Sequence, residues 1–420
     1  MTFLPGRAVA AAALAFAFAV ARPAAAGVEV SLISYLSARP ELRDGRAVTA
    51  APLLELVSID AWGLNAPGIR GARVHVSGWG SLSPLELSQR GAAAGDLDLA
   101  FVEGRALEDR LRFVAGRQLV AGGAARFLQL DGVLAEYGVA RLLRVTAWGG
   151  VPVSARFNVR QGDAAGGGRV AWAPSWDSEV GASYALVLDR GLVARHDAGV
   201  DGRWAPWRSA WVAGHALYSL AEARLVEAEL GPHWRVWPSL EVALSARRVS
   251  PDLLLPRGSI LSVFAEPARD ELGAIAVWEP RPDVAVTADA RVVWLSGAAG
   301  SDAGAQVVGR PVPGTVLIGE LRWLDAFGDR YVRVRGAASR RVTPALAVGL
   351  DADAFWRGRA INGVNHSAVA AATASWTFAP EWLAVAELGA GTTPELAAEA
   401  RAMVKVAWRW RTGAADRGGP

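Results

Sequence analysis

The feature that most constrains this chain is a strand-length run of strictly alternating charged and apolar side chains, repeated along most of its length. In the last such run Glu399, Arg401, Met403, Lys405, Ala407 and Arg409 share one parity, and Ala400, Ala402, Val404, Val406, Trp408 and Trp410 the other. A period of two is the signature of a pleated strand, whose successive side chains point to opposite faces. A water-soluble sheet turns its apolar face inward, whereas a transmembrane barrel turns that face to lipid and lines a wet lumen with charge. One run does not decide between them.

The alternation recurs through the second half. From Asp283, Asp283, Ala285, Thr287, Asp289 and Arg291 oppose Val284, Val286, Ala288, Ala290, Val292 and Trp294. Glu320 and Arg322 oppose Leu317, Leu321 and Trp323; Arg333, Arg335 and Arg341 oppose Val332, Val334 and Ala338; Asp351 and Asp353 oppose Leu346, Val348, Leu350 and Trp356. Upstream, Glu227, Glu229, His233 and Arg235 oppose Val226, Ala228, Leu230 and Trp234, and Glu241 and Arg247 oppose Leu240, Val242 and Leu244. Ile361 to Pro380 is uncharged over the length of a membrane helix, but Ser367, Thr373, Ser375 and Thr377 alternate with Ala368, Ala372, Ala374, Trp376 and Phe378, so it reads as a strand.

Trp294, Trp323, Trp356, Trp376, Trp408 and Trp410 all lie on the apolar parity near run ends. A soluble core gives Trp no reason to prefer strand ends, whereas a barrel places an aromatic girdle there. The chain has 18 Trp against 5 Tyr and 11 Phe, and this choice of aromatic suits an interface. Together the runs predict an all-β fold: a single closed antiparallel transmembrane β-barrel of about 18 to 22 strands. In the first half, strands are expected near 28–38, 50–62, 70–80, 96–106, 110–121, 126–137, 140–149, 168–176, 179–189, 192–203 and 207–219.

Connections alternate in kind. Short turns at 237–239, 279–283, 342–345 and 379–381 are rich in Pro, and longer links at 249–270, 297–302, 357–365 and 389–395 alternate with them. The two longest irregular stretches, 151–168 and 249–270, are expected to cover the mouth of a pore or fold into it. Gly166-Gly167-Gly168 lacks the Lys-Ser/Thr of a phosphate loop and reads as flexible loop.

Arg7, an uncharged Ala-rich run to Ala21, and Arg22-Pro23-Ala24-Ala25-Ala26 describe a secretory signal peptide over 1–26; a short N-terminal anchor is the alternative. The barrel is then expected over 27–410, with a polar tail over 411–420. The formal net charge is +3, and loss of Arg7 and Arg22 brings it nearer zero, which excludes a nucleic-acid binder by charge. Lys405 is the only lysine, so nearly every base is an arginine. The absence of Cys excludes thiol catalysis and Cys-ligated metal centres.

The run Leu111-Arg112-Phe113-Val114-Ala115-Gly116-Arg117-Gln118, followed by Asp131-Gly132 opening the next strand, resembles phrases of Gram-negative outer-membrane β-barrel and porin-like proteins. The resemblance implies an outer-membrane location, contact with lipid, passage through the barrel-insertion machinery and, as cargo, small hydrophilic solutes. Such barrels tend to end on an aromatic residue; here Trp410 is followed by Arg411 to Pro420, so the resemblance implies a terminal signal read internally.

The candidate lumen residues are the charges of the polar parity: Glu227, Glu229, Arg235, Glu241, Arg247, Asp289, Arg291, Glu320, Arg322, Arg333, Arg335, Asp351, Asp353, Arg401, Lys405 and Arg409. Opposed acidic and basic walls set a field that filters solutes; alternatively the charges pair across strands and stiffen the wall. Arg333 and Arg335 beside Asp351 and Asp353 fit the second account. Trp408 and Trp410 are expected at the inner-leaflet interface, with the last strand closing against the strand near Val28 to Ser37. The histidines, His75, His196, His215, His233 and His366, show no metal-ligand spacing. His75 with Ser77 and His366 with Ser367 lack a visible orienting partner, so no catalytic residue, metal or cofactor is expected. The expected function is passive diffusion through an outer-membrane channel; a non-conducting envelope scaffold and a soluble periplasmic all-β protein are the alternatives.

Overall fold

The computed structural model describes residues 27–43, 46–83, 93–153, 162–253, 267–396 and 398–412. The expected signal peptide and most of the polar tail lie outside them. The strands are β1 (Gly27–Arg43), β2 (Arg46–Ala50), β3 (Leu53–Ala66), β4 (Ile69–Leu82), β5 (Ala93–Ala106), β6 (Leu111–Gly122), β7 (Arg126–Ala140) and β8 (Leu143–Pro152). They continue as β9 (Ala164–Ser175), β10 (Ser178–Asp189), β11 (Leu192–Trp207), β12 (Ala210–Ser219), β13 (Arg224–Trp237), β14 (Leu240–Val249), β15 (Arg269–Arg281) and β16 (Val284–Leu295). The last are β17 (Ala298–Gly309), β18 (Thr315–Ala326), β19 (Asp329–Arg341), β20 (Leu346–Ile361), β21 (Val364–Ala379), β22 (Trp382–Thr392) and β23 (Glu399–Thr412).

β1 pairs antiparallel with β3, each strand from β3 on pairs antiparallel with the next, and β23 returns to β1 in register from Val28↔Thr412 to Ala38↔Ala402, closing the sheet. β2 pairs only with the end of β1 and stands outside the ring, which leaves a closed barrel of 22 strands. Arg411 and Thr412, expected to begin the tail, instead pair with Glu29 and Val28. Gly27 and Thr412 share one rim, the terminal rim; the connections expected to be short lie on it and the others on the far rim.

A strand such as β16, with 12 residues, is about 40 Å long. Tilted by about 40°, it spans about 30 Å, the thickness of a bilayer core. No helix among the described residues is long and apolar enough to cross a membrane, and this says nothing about crossing by strands.

The alternation holds on the outside of the barrel. Leu350 (67% exposed), Leu388 (68%), Leu321, Leu317, Val292 and Val404 all stand out from it. So large an apolar surface has no place in water. Near the far rim Trp323 and Trp356 flank Val332 in one cross-strand row. Near the terminal rim Trp172 stacks on Trp204 with ring centroids 6.2 Å apart, and Trp382 packs against Phe378 and Trp408.

Three expectations fail locally. The links at 297–302 and 357–365 are not long loops: β17 begins at Ala298, β20 runs to Ile361, and tight turns at Ser296-Gly297 and Asn362-Gly363, all at positive φ, join the strands. Asn and Gly tolerate the left-handed region such turns require. Gly166, Gly167 and Gly168 are not flexible loop but belong to β9 and pair with Gly149, Trp148 and Ala147. A Cβ on Gly167 would lie 2.5 Å from the Trp148 ring, so the glycine is what lets that ring lie against the sheet. Of the two longest irregular stretches, 154–161 and 254–266 are outside the described residues.

Candidate functional site: the inner wall and an infolded hairpin

The inner face carries a ladder of ion pairs. Arg333 binds Asp353 at 2.6 Å and Glu320 at 3.3 Å, and Arg335 binds Asp351 at 2.6 Å. The strict cross-strand partner of Arg335 is Asp353, so each guanidinium reaches diagonally, two residues along the next strand. Arg322 bridges Asp289 at 2.8 Å and Asp302 at 2.7 Å, and Arg291 holds the other Asp302 oxygen at 2.9 Å. Arg247 binds Glu227 at 2.8 Å and approaches Glu229 at 3.7 Å.

The remaining candidates make looser contacts. Arg235 lies 3.9 Å from Glu241, Arg401 3.4 Å from Glu387, and Arg409 3.5 Å from Glu29; Lys405 sits over the Tyr35 ring at 5.2 Å. The structure therefore joins nearly all of these charges to opposite charges nearby. Exposed pairs of this kind contribute little stability each, so their collective effect is to fix the rotamers of a charged wall. Asp302, expected within a link, is a central and almost fully buried member. Its strand, rich in Ala and Gly, has too few large side chains to show an alternation.

The wall is not smooth. β5 and β6 pair only from Ala100↔Arg117 to Ala106↔Leu111, and β7 and β8 only from Leu130↔Pro152 to Ala140↔Leu143. Beyond those points the two strands of the hairpin tip, 118–129, ladder with each other, Val153 still donates to the Gln129 carbonyl at 3.0 Å, and the tip packs inward against β10 and β11. The Ala124 N–H donates to Ser183 Oγ at 2.8 Å, and the Arg195 guanidinium donates to the Ala124 carbonyl. Val120, Ala124, Ala125, Leu128 and Leu130 bury themselves against Trp148, Ala185, Val187, Leu217 and Val226. Val226, expected to face outward, turns inward at a register shift between β12 and β13. Cavities of about 510 and 1080 Å³ lie beside the tip.

β6 and β7 stand where strands were expected at 110–121 and 126–137, and it is their shared tip that leaves the wall. The cause of this infolding lies in the Gly-Arg-Gln and Asp-Gly phrases. Gly116 and Gly132 are cross-strand partners, and a Cβ on either would lie 2.2 Å from a neighbouring strand's carbonyl. The hairpin bends there because only glycine permits the approach, Gly116 at φ +119° besides. Arg117 and Asp131 lock the bend at 2.7 Å, and the buried Gln118 amide donates to the Val114 and Gly132 carbonyls.

Two clusters on the inner face have chemical potential. His215, Glu227 and Glu229 bring ligand atoms within 4.8 Å of one another, but Arg247 and Arg126 already occupy Glu227, so the group is satisfied as an ion-pair network. His75 lies between Asp60 at 2.8 Å and Ser77 at 3.3 Å. The orienting partner missing from the sequence reading of His75 and Ser77 is thus present, on the neighbouring strand. His366 Nδ1 lies 3.1 Å from Asn365 Oδ1.

No family model matches the chain, and no curated protein matches it. Solved structures with a similar course include OccAB4 of Acinetobacter baumannii, at 8% identity and TM-score 0.48, covering 93% of this chain and 99% of that one. The outer membrane protein opdK of Pseudomonas aeruginosa is similar at 8% identity and TM-score 0.47, covering 92% and 99%. The translocation pore of the P pilus usher PapC follows at 9% identity and TM-score 0.46, covering 91% and 99%. The likeness is one of barrel architecture.

Proposed function

We propose that this barrel resides in an outer membrane and lets small hydrophilic solutes diffuse through its lumen. The observation that carries the reading is the division of faces: an unbroken ring of strands is apolar outside and ionised inside. The ion pairs of the inner wall stay partly exposed on their lumenal side, and a hydrated passage is what keeps such charges solvated. The ladder residues, including Arg322, Arg333, Arg335, Asp289, Asp351 and Asp353, would set the charge preference, and the infolded hairpin would set the size limit. Passage itself makes and breaks no covalent bond. Lipid is the partner of the outer face, with Trp294, Trp323, Trp356, Trp376, Trp408 and Trp410 at its borders.

Proteoliposomes loaded with a small hydrophilic dye and a large dextran test this. The proposal expects the dye to leave while the dextran stays; retention of both by vesicles holding folded barrel contradicts it. The second reading, a non-conducting scaffold for other envelope proteins, draws on the docked hairpin and predicts that retention.

A further inference from the structure

Asp60 on β3 and His75 on β4 are direct cross-strand partners, and Ser77 follows two residues along β4 on the same inward face. The Asp60 carboxylate faces His75 Nδ1 at 2.8 Å, and the opposite ring nitrogen, Nε2, faces Ser77 Oγ at 3.3 Å. A carboxylate on Nδ1 selects the tautomer that carries its proton there, which leaves Nε2 free to accept from a hydroxyl. We propose that Ser77, His75 and Asp60 form a nucleophilic triad that hydrolyses short-chain carboxylic esters within the lumen.

The surroundings hold the imidazole in place. Phe101, its partner on β5, stacks on the ring with centroids 5.3 Å apart. Arg73 donates to Asp60 Oδ2 at 2.9 Å, which fixes the carboxylate plane. A merely structural carboxylate would be satisfied by Arg73 alone; here it also orients a ring whose far nitrogen meets a hydroxyl, in the order nucleophilic catalysis requires. Leu99, the cross-strand partner of Ser77, and Phe101 separate the triad from the cavity of about 510 Å³ and line its near side, with Glu103 and Arg112 beyond them. Arg112 is paired there with Glu103 at 2.8 Å, so the two apolar side chains are the feature that suits a short acyl chain. The cross-strand partner of Ser77 on β3 is Ser58, a second hydroxyl on the same face and the group that would donate to an oxyanion.

The chemistry balances without a co-reactant other than water. Ser77 Oγ bonds to the ester carbonyl carbon as its proton passes to His75 Nε2; the C–O bond to the alcohol breaks, and the alcohol leaves with that proton. Water then gives a proton to His75 and its hydroxide attacks the acyl-Ser77 carbon. Release of Ser77, reprotonated by His75, yields the carboxylic acid.

The test uses the full-length barrel folded in detergent, a fluorophosphonate probe, and p-nitrophenyl acetate as substrate. The expected result is one covalent adduct on the peptide holding Ser77 and hydrolysis above the buffer rate. Ser77→Ala should abolish labelling, and His75→Ala should slow hydrolysis by about 10²-fold or more. Asp60 acts as a positioning residue, so Asp60→Asn should lower kcat while KM holds, and Asp60→Glu should recover part of the loss. Heat-modifiable gel migration shows that each variant is folded. No labelling and no hydrolysis by the folded wild-type barrel would overturn the proposal, as would labelling or hydrolysis that Ser77→Ala leaves unchanged.

Discussion

Releasing the infolded hairpin should expose it to protease by a calculable factor. In the double variant Ser183→Ala with Leu128→Ala, the first change removes the hydroxyl that accepts the Ala124 N–H, a bond worth about 1 kcal/mol. The second empties the site of a side chain only 6% exposed, at a cost of about 2 kcal/mol or more. Taken as independent, the two weaken docking by about 3 kcal/mol, a shift of about a hundredfold toward the released tip. Arg126 lies in that tip, so trypsin cleavage after it reports the released population directly while reclosing outpaces cleavage. Folded barrel in detergent should be cut there about a hundred times faster in the variant than in the wild type. The variant should also pass larger solutes into proteoliposomes. An unchanged cleavage rate in a variant that keeps its heat-modifiable migration would refute the docking geometry.

Other consequences follow from the two faces. Leu350→Arg, on the outer face, should cost about 2–4 kcal/mol if the residue lies at the bilayer midplane, read as a lower urea midpoint for folding into vesicles. Gly167→Val should destabilise the barrel more than Gly319→Val, because a Cβ at 167 meets the Trp148 ring and one at 319 meets nothing within 4 Å; tryptophan fluorescence melts compare them. Arg333→Ala should change stability by only about 0–1 kcal/mol, since its pairs are partly exposed. It should nonetheless shift the reversal potential in a salt gradient toward cation preference, because Asp353 and Glu320 lose their shared counter-charge.

The barrel was legible because its two faces face opposite solvents, so each strand declares itself within about ten residues. The eleven strands expected in the first half match β1 and β3 to β12, and the closure of the last strand on the first was legible from the same pattern. The pairing of Arg333 and Arg335 with Asp351 and Asp353 was visible too, since both pairs sit on neighbouring runs of matched parity. What stayed hidden depends on the third dimension. The infolding of the β6–β7 hairpin turns on Gly116 and Gly132 meeting across a register, and sequence shows only two glycines. Asp302 was hidden by a strand too poor in large side chains to alternate. Asp60 lies outside any local motif with His75, because cross-strand neighbours are far apart along the chain.

A hydrated lumen running through this barrel conducts ions, and conduction is directly measurable. A planar-bilayer recording of the purified, folded protein tests it most directly. Stepwise, ohmic current increments are expected as single barrels insert, with a reversal potential that moves when Arg333 or Arg335 is neutralised. A barrel that inserts, keeps its heat-modifiable migration and passes no current would contradict it.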